Sequence, residues 1–365
     1  MHCQHSKCVD TLTPEIPLLD TDQMKTTLND HYDLAPSLEK AKATEDVYQD
    51  MKRVVPVADW ASYAPYVIEI NKLKKERNAV ILAHNYMTPE IYHGVADFVG
   101  DSLELATKAT EVEEDVIIQC GVHFMAETSK ILNPSKTVLI PDTAAGCSLA
   151  ESITAEGVAE MRAKYPGAPV VSYVNTTAEV KAASDICCTS SNALKIVEAM
   201  DSDTVIMTPD QFLAQNVAAE STKNVVWWEG SCIVHELYTA KDLREYREFN
   251  PGVKIIAHPE CTPEVVEEAD FTGSTRGIID WVTENKPKEA MLVTECSMAD
   301  NISDGLPEVE FSKPCNMCPY MKKISLEKIL WSLHTLEPKV EVDPKIADKA
   351  RLAVQRMLDM SHSLS

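Results

Sequence analysis

The chain has 365 residues, enough for two or three compact units with cores of their own. Its 45% hydrophobic and 25% charged content is that of an ordinary globular protein. A formal net charge of −23 argues against a nucleic-acid partner, which needs a basic footprint, and against an anionic membrane surface.

Residues 1–65 are polar and acidic and carry no clear strand, so they are expected to form an N-terminal extension, partly flexible. Met1 to Asp10 has neither a basic nor an apolar signal region, and no later run approaches the ~18 apolar residues of a membrane span. Eleven cysteines without a secretory signal point to the reducing cytoplasm, where clustered cysteines are more often metal ligands or catalytic groups than disulfides. Cys3 and Cys8, with His2 and His5, read as a tail rather than a metal clip. Residues 58–76 have mixed helical periodicity and lead into the first strand.

From Asn78 on, short β-branched runs predict strands at 79–83, 115–119, 137–140, 169–173, 185–188, 204–207, 224–228, 254–257 and 290–294. Helical stretches lie between them, at 102–109, 178–183, 191–200 and 263–269. Strands alternating with helices predict an α/β fold of βαβ units with parallel sheets. The strands are continuous apolar runs, as expected when both faces are covered. The charged stretch 337–348 links to, or begins, a C-terminal helix.

A domain-sized period runs through this pattern. Cys147, Cys232 and Cys318 stand 85 and 86 residues apart. Apolar runs end in His84-Asn85-Tyr86, Tyr173-Val174-Asn175 and His258-Pro259-Glu260. An aspartate precedes a Ser or Thr by five residues three times: Asp97 and Ser102, Asp185 and Ser190, Asp270 and Thr275. Such self-similarity predicts a triplicated α/β unit about a pseudo-threefold axis, with repeats at 66–150, 151–235 and 236–330 and a helical segment at 331–365. Three equivalent thiolates then converge on one point.

The polar motifs follow the strands, where parallel sheets open their ligand crevice. Three thiolates suit zinc or an iron–sulfur cluster, and three ligands on a four-iron cluster leave one iron free to act as a Lewis acid. Their wide spacing is unlike that of zinc fingers. Cys120, Cys187, Cys188, Cys261 and Cys296 fall off the period and read as core or supporting residues. Cys315 and Cys318 form a C-x-x-C pair whose oxidation would withdraw Cys318. His84, Tyr86, His258 and Glu260 are candidate acid–base groups. Ser102, Ser190 and Thr275 start helices, where a hydroxyl caps the helix and faces an anion equally well. No P-loop, G-x-G-x-x-G or G-x-S-x-G pattern is present. A zinc-dependent lyase or hydrolase and a cluster-based sensor compete on these grounds, although a DNA-reading sensor would need a basic patch.

At these residues the chain resembles the quinolinate synthase (NadA) family. The stretches that carry the likeness include Ile81-Leu-Ala-His-Asn-Tyr86, Asp97-Phe-Val-Gly-Asp-Ser102, Gly121-Val-His-Phe-Met-Ala-Glu-Thr128, Ala145-Gly-Cys-Ser-Leu149, Thr189-Ser-Ser-Asn192, Gly230-Ser-Cys-Ile-Val-His235 and Cys315-Asn-Met-Cys-Pro319. They run in order over about residues 75–335. The resemblance implies three homologous three-layer αβα domains, related by pseudo-threefold symmetry around a central metal-cluster site. It implies one [4Fe–4S] cluster per chain on Cys147, Cys232 and Cys318. Substrate contacts carry over to His84, Ser102, Tyr173, Asn175, Ser190, His258, Glu260 and Thr275, and catalysis to Tyr86 with His84, His258 and Glu260. The implied reaction condenses iminoaspartate with dihydroxyacetone phosphate to quinolinate, releasing phosphate and two waters, in NAD biosynthesis. It also implies functional coupling to an L-aspartate oxidase or dehydrogenase that makes the iminoaspartate.

Overall fold

The computed structural model of the chain describes residues 21–364. Twelve strands form three four-stranded sheets. The first holds β1 (Ala79–His84), β2 (Phe98–Gly100), β3 (Val116–Cys120) and β4 (Thr137–Leu139). The second holds β5 (Val170–Tyr173), β6 (Ile186–Cys188), β7 (Thr204–Thr208) and β8 (Asn224–Trp227). The third holds β9 (Lys254–Ala257), β10 (Phe271–Thr272), β11 (Glu289–Val293) and β12 (Glu310–Ser312). In each sheet the second strand flanks the first, which pairs with the third, which pairs with the fourth, and every pairing is parallel. Helices cover the sheets, so the architecture is α/β with three αβα units.

The central strands β1 and β3 are buried along their whole length, which is why they read as mostly apolar runs, and the one polar residue inside β3, Gln119, is hydrogen-bonded to Leu82 O and Ser129. Three strands were not anticipated: β2, β10 and β12, of three, two and three residues. All lie at sheet edges, where a short strand needs no apolar run and limits unwanted pairing.

The recurring aspartate has one structural job in all three units. Asp97, Asp185 and Asp270 accept the backbone N–H groups of Ile81, Val170 and Ile255 at 2.8, 2.7 and 3.0 Å. Each also meets a basic side chain from the preceding helix, Lys74, Arg162 or Arg247, at 2.8 Å. The aspartate thereby ties an edge strand, the first strand and a helix together at the end of the sheet away from the strand-end motifs.

Residues 21–65 form helices joined by turns and short irregular segments. Helices Thr21–His31, Leu38–Ala43 and Val57–Glu76 bury Met24, Leu28, Ala41 and Trp60. The last packs on helix Leu326–Thr335. Cys3, Cys8, His2 and His5 lie outside the described residues. The long C-terminal helix Pro344–Leu364 packs on helix Ala178–Ala183 of the second unit. Among the described residues no helix is long and apolar enough to cross a membrane.

Candidate active site

The first strand of each sheet ends at one shared cavity. All twelve residues singled out in the sequence line it, four from each unit. They are His84, Tyr86, Ser102 and Cys147; Tyr173, Asn175, Ser190 and Cys232; and His258, Glu260, Thr275 and Cys318. Because the three sheets share one topology, equivalent strand ends and turns meet near the common axis.

The two strand-end histidines adopt the same local geometry. His84 Nδ1 accepts the N–H of Tyr86 at 3.2 Å, and His258 Nδ1 accepts the N–H of Glu260 at 3.3 Å. With Nδ1 used as an acceptor, a neutral ring keeps its proton on Nε2. Burial pushes His84 down to about 4 and His258 down to about 3, against the pull of Glu260. Both rings are therefore neutral N–H donors at neutral pH.

Glu260 sits in a different balance. Burial works to raise its carboxyl, but the facing His235 and His258, with hydrogen bonds from His235 and Tyr173, hold it below the ordinary carboxylate range. Its neighbour Asp210 is pushed well up by burial and by the charge of Glu260. Burial, then the Glu260 charge, also raises the Tyr86 and Tyr173 phenols, so both stay protonated.

No lysine or arginine is among the residues lining the cavity. Anions must be held by neutral donors. Ser102 and Thr275 are the first residues of helices Ser102–Glu111 and Thr275–Asn285, but Asp101 and Ser274 cap those helices, and the helix after Ser190 begins only at Ala193, so at all three positions the hydroxyl and not the helix end is what the cavity meets. Asn85 Nδ2 donates to Thr275 Oγ1 at 2.8 Å, which leaves that hydroxyl's own proton for a ligand. Asn175 Oδ1 is buried with no hydrogen-bond partner, which marks a polar group whose partner is a ligand.

The three cysteines share one setting. Burial pushes the Cys147 thiol up to about 12 and raises those of Cys232 and Cys318. Opposing this, each sulfur receives backbone N–H groups from the second and third residues after it: Leu149 and Ala150, Val234 and His235, Tyr320 and Met321. Each cysteine sits at or just before a short helical turn, Ser148–Glu151, His235–Leu237 or Met321–Lys323, which supplies those donors. Donors of this kind stabilise a thiolate bound to metal and leave its lone pairs for the metal.

Cys315 faces a second cysteine. Its sulfur lies 2.8 Å from that of Cys296, and no disulfide joins it to Cys318. Backbone contact brings the two segments together, since Cys296 N–H donates to Asn316 O at 3.3 Å.

Three further residues escaped the sequence reading. His235 Nδ1 lies 2.9 Å from Glu260 Oε2 and 3.2 Å from Cys232 Sγ, and its ring stacks on His258 at 4.7 Å. Cys232, His235 and Glu260 hold their donor atoms within 4.8 Å of one another. The signal was its place three residues after a periodic cysteine. Glu295 is buried, accepts the Cys318 N–H at 3.3 Å and pairs with Lys322 at 2.9 Å. Lys322 also donates to Tyr86 O at 2.8 Å, so one cation braces the turn of a cysteine and the turn of a tyrosine. Neither lies on the period.

Comparison with known proteins agrees with this arrangement. The family model described as "Quinolinate synthetase A protein" matches residues 68–359. The chain is 58% identical over 328 residues to a quinolinate synthase of Sinorhizobium medicae (strain WSM419), covering 90% of this chain and 91% of that protein. It is 58% identical over 314 residues to one of Agrobacterium fabrum (strain C58 / ATCC 33970), covering 86% and 91%. It is 60% identical over 289 residues to one of Xylella fastidiosa (strain Temecula1 / ATCC 700964), covering 79% and 85%.

Proposed function

The chain belongs to the quinolinate synthetase A (NadA) family, and from that membership and the donor groups around the cavity we propose that it is a quinolinate synthase of NAD biosynthesis. It condenses iminoaspartate with dihydroxyacetone phosphate, releasing phosphate and two waters. The observation that carries the reading is the set of three cysteines, one from each unit, each with the same pair of N–H donors and all lining one cavity. That set fits a [4Fe–4S] cluster held by Cys147, Cys232 and Cys318. Such a cluster, when bound, supplies a Lewis-acidic open iron for loss of a hydroxyl.

The chain's own residues do the rest. Ser102, Ser190 and Thr275 hold carboxylate or phosphate oxygens through their hydroxyls. The neutral Nε2–H groups of His84 and His258 donate to substrate oxygens without bringing a charge into the cavity. Glu260, ionised and aligned by His235 and Tyr173, takes protons from carbon. Tyr86, a protonated phenol, returns one. Tyr173 and Asn175 face the substrate from the second unit. Iminoaspartate is a labile imine, so an L-aspartate oxidase or dehydrogenase must deliver it close to use.

The Cys232, His235 and Glu260 group supports a second reading, a zinc site. The hydrogen bond between His235 and Glu260 engages both residues with each other and weighs against it. The test is anaerobic purification, reconstitution with iron and sulfide, and chromatography for quinolinate after adding dihydroxyacetone phosphate and freshly generated iminoaspartate. Product from wild type but not from Cys232→Ser is expected. A fully loaded protein that makes none, or a protein that binds zinc in place of iron and sulfide, overturns the reading.

A further inference from the structure

Two of the strand-end turns are gripped from outside by a neighbouring unit. Residues 84–87 and 258–261 each form a β-turn, closed by Met87 N–H donating to His84 O at 2.9 Å and by Cys261 N–H donating to His258 O at 3.0 Å. Asn301 Nδ2 donates to the carbonyls on either side of Tyr86, Asn85 O at 3.0 Å and Met87 O at 2.8 Å. Asn216 Nδ2 donates to the carbonyls on either side of Glu260, Pro259 O at 2.8 Å and Cys261 O at 3.0 Å. The two asparagines stand 301 − 216 = 85 residues apart, on the period of the cysteines. Each lies on the helix that follows the third strand of its sheet, Gln211–Glu220 after β7 or Ser297–Ser303 after β11. The second unit thus holds the turn of the third, and the third holds the turn of the first. Neither asparagine lines the cavity.

We propose that Asn216 and Asn301 are positioning residues, which lock the central peptides of these two turns and so set where Glu260 and Tyr86 stand and which way His258 and His84 donate. The effect on turnover rests on the synthase reading, and the effect on position rests on geometry alone.

The central peptide of each turn has its carbonyl on Asn85 or Pro259 and its N–H on Tyr86 or Glu260. That N–H donates to Nδ1 of His84 or His258. Types I and II of β-turn differ by rotation of this one peptide, so the turn alone does not fix it. An amide bonded to its carbonyl opposes the rotation. The N–H then stays on Nδ1, and the ring proton stays on Nε2. One NH2 group has one proton for each of two carbonyls, so a single side chain suffices. The reversed amide would set its oxygen against both carbonyls, which fixes the orientation even though Asn301 Oδ1 is left buried without a partner among the described residues. The turn of the second unit is built differently, with Thr176 N–H donating to Val174 O at 2.8 Å. No asparagine grips it. The buried Lys181 of the same unit takes Thr176 O, and Glu127, on the helix after β3, accepts the Ala178 N–H at 3.1 Å.

The variants Asn216→Leu and Asn301→Leu test this, because leucine keeps the volume and removes both donors. In the cluster-loaded enzyme each is expected to lower kcat roughly 10- to 100-fold, the equivalent of two hydrogen bonds, with iron content unchanged. Pairing each with a second change separates positioning from general support. In a Glu260→Gln background Asn216→Leu should cost less than about threefold more, because no carboxylate is left to place, whereas in a Tyr86→Phe background its full cost should remain. Asn301→Leu should show the reverse. Crystal structures are expected to show residues 258–261 displaced in Asn216→Leu and residues 84–87 displaced in Asn301→Leu. Where a leucine variant does not fold, the alanine variant at the same place carries the same expectation. Wild-type turnover in either variant, equal losses in every background, or unmoved turns each overturn the proposal. A wild-type enzyme that makes no quinolinate overturns the synthase reading instead, and the positions of the turns in the crystals then decide the inference.

Discussion

Replacing Glu260 with glutamine removes one charge and little volume, so its effect reports on hydrogen-bond direction. Glu260 accepts from His235 Nδ1 at 2.9 Å and from Tyr173 Oη at 2.5 Å. Bonds to a charged acceptor contribute about 1.5–3 kcal/mol each. Glutamine satisfies both partners only with its oxygen on His235 and its NH2 donating to the Tyr173 hydroxyl, which reverses that bond and removes the charge assistance from both. The same change removes the carboxylate proposed to take a proton from carbon. Even if only the alignment is lost, about 2–4 kcal/mol off the transition state lowers kcat roughly 30- to 1,000-fold. The assay is anaerobic quinolinate formation by Glu260→Gln, with iron content and cluster absorbance measured on the same sample. Glu260→Asp keeps the charge but cannot span both partners, and should fall between wild type and Glu260→Gln. A cluster-loaded Glu260→Gln enzyme within threefold of wild-type kcat would refute the assigned role.

Three other outcomes follow from the same geometry. His84 and His258 titrate near 6.5 when unfolded but only at about 4 and about 3 when folded. Between those values the unfolded chain binds more protons, so stability is full above about pH 6.5 and falls as pH drops, by about 2 kcal/mol per histidine at pH 5. Urea midpoints at pH 7 and pH 5 should show this, and a His84→Asn/His258→Asn chain with the same acid loss would contradict it. Replacing Lys322 by methionine strands the buried Glu295 and should cost about 3 kcal/mol or more. It should also loosen iron, because Glu295 accepts the Cys318 N–H; unchanged urea midpoint and iron retention would exclude that role. Under a glutathione-disulfide buffer, peptide mapping should recover Cys315 linked to Cys296, 2.8 Å away. A peptide with Cys315 joined to Cys318 would restore the pairing read from the C-x-x-C spacing.

The sequence by itself determined the triplication and the residues around the cavity. A parallel strand covered on both faces must be apolar along most of its length, so the central strands of each sheet stand out as mostly apolar runs. A unit repeated three times puts its strand ends at equivalent places, so His84, Tyr173 and His258 share a position without any knowledge of distances. The change of hydrogen-bonding side chain at each place, histidine to tyrosine at the first and tyrosine to asparagine to glutamate at the second, is what turns a symmetric scaffold into an asymmetric site.

Only the tertiary structure decided which side chains act together. Tyr86 shares a hydrogen bond with Thr294, 208 residues away and off the period, and another with Lys322, 236 residues away. Their meeting depends on how the first and third units dock, which no local pattern encodes. The edge strands β2, β10 and β12 were hidden because two or three residues at a sheet margin need no apolar signature. The contact of Cys315 with Cys296 was hidden for a related reason. Spacing in sequence puts Cys318 within reach, but the end of β11 brings Cys296 against the same loop. Burial periodicity is a local record of one face of one element, whereas a hydrogen bond between domains is set by the rigid-body fit of surfaces that are each locally unremarkable.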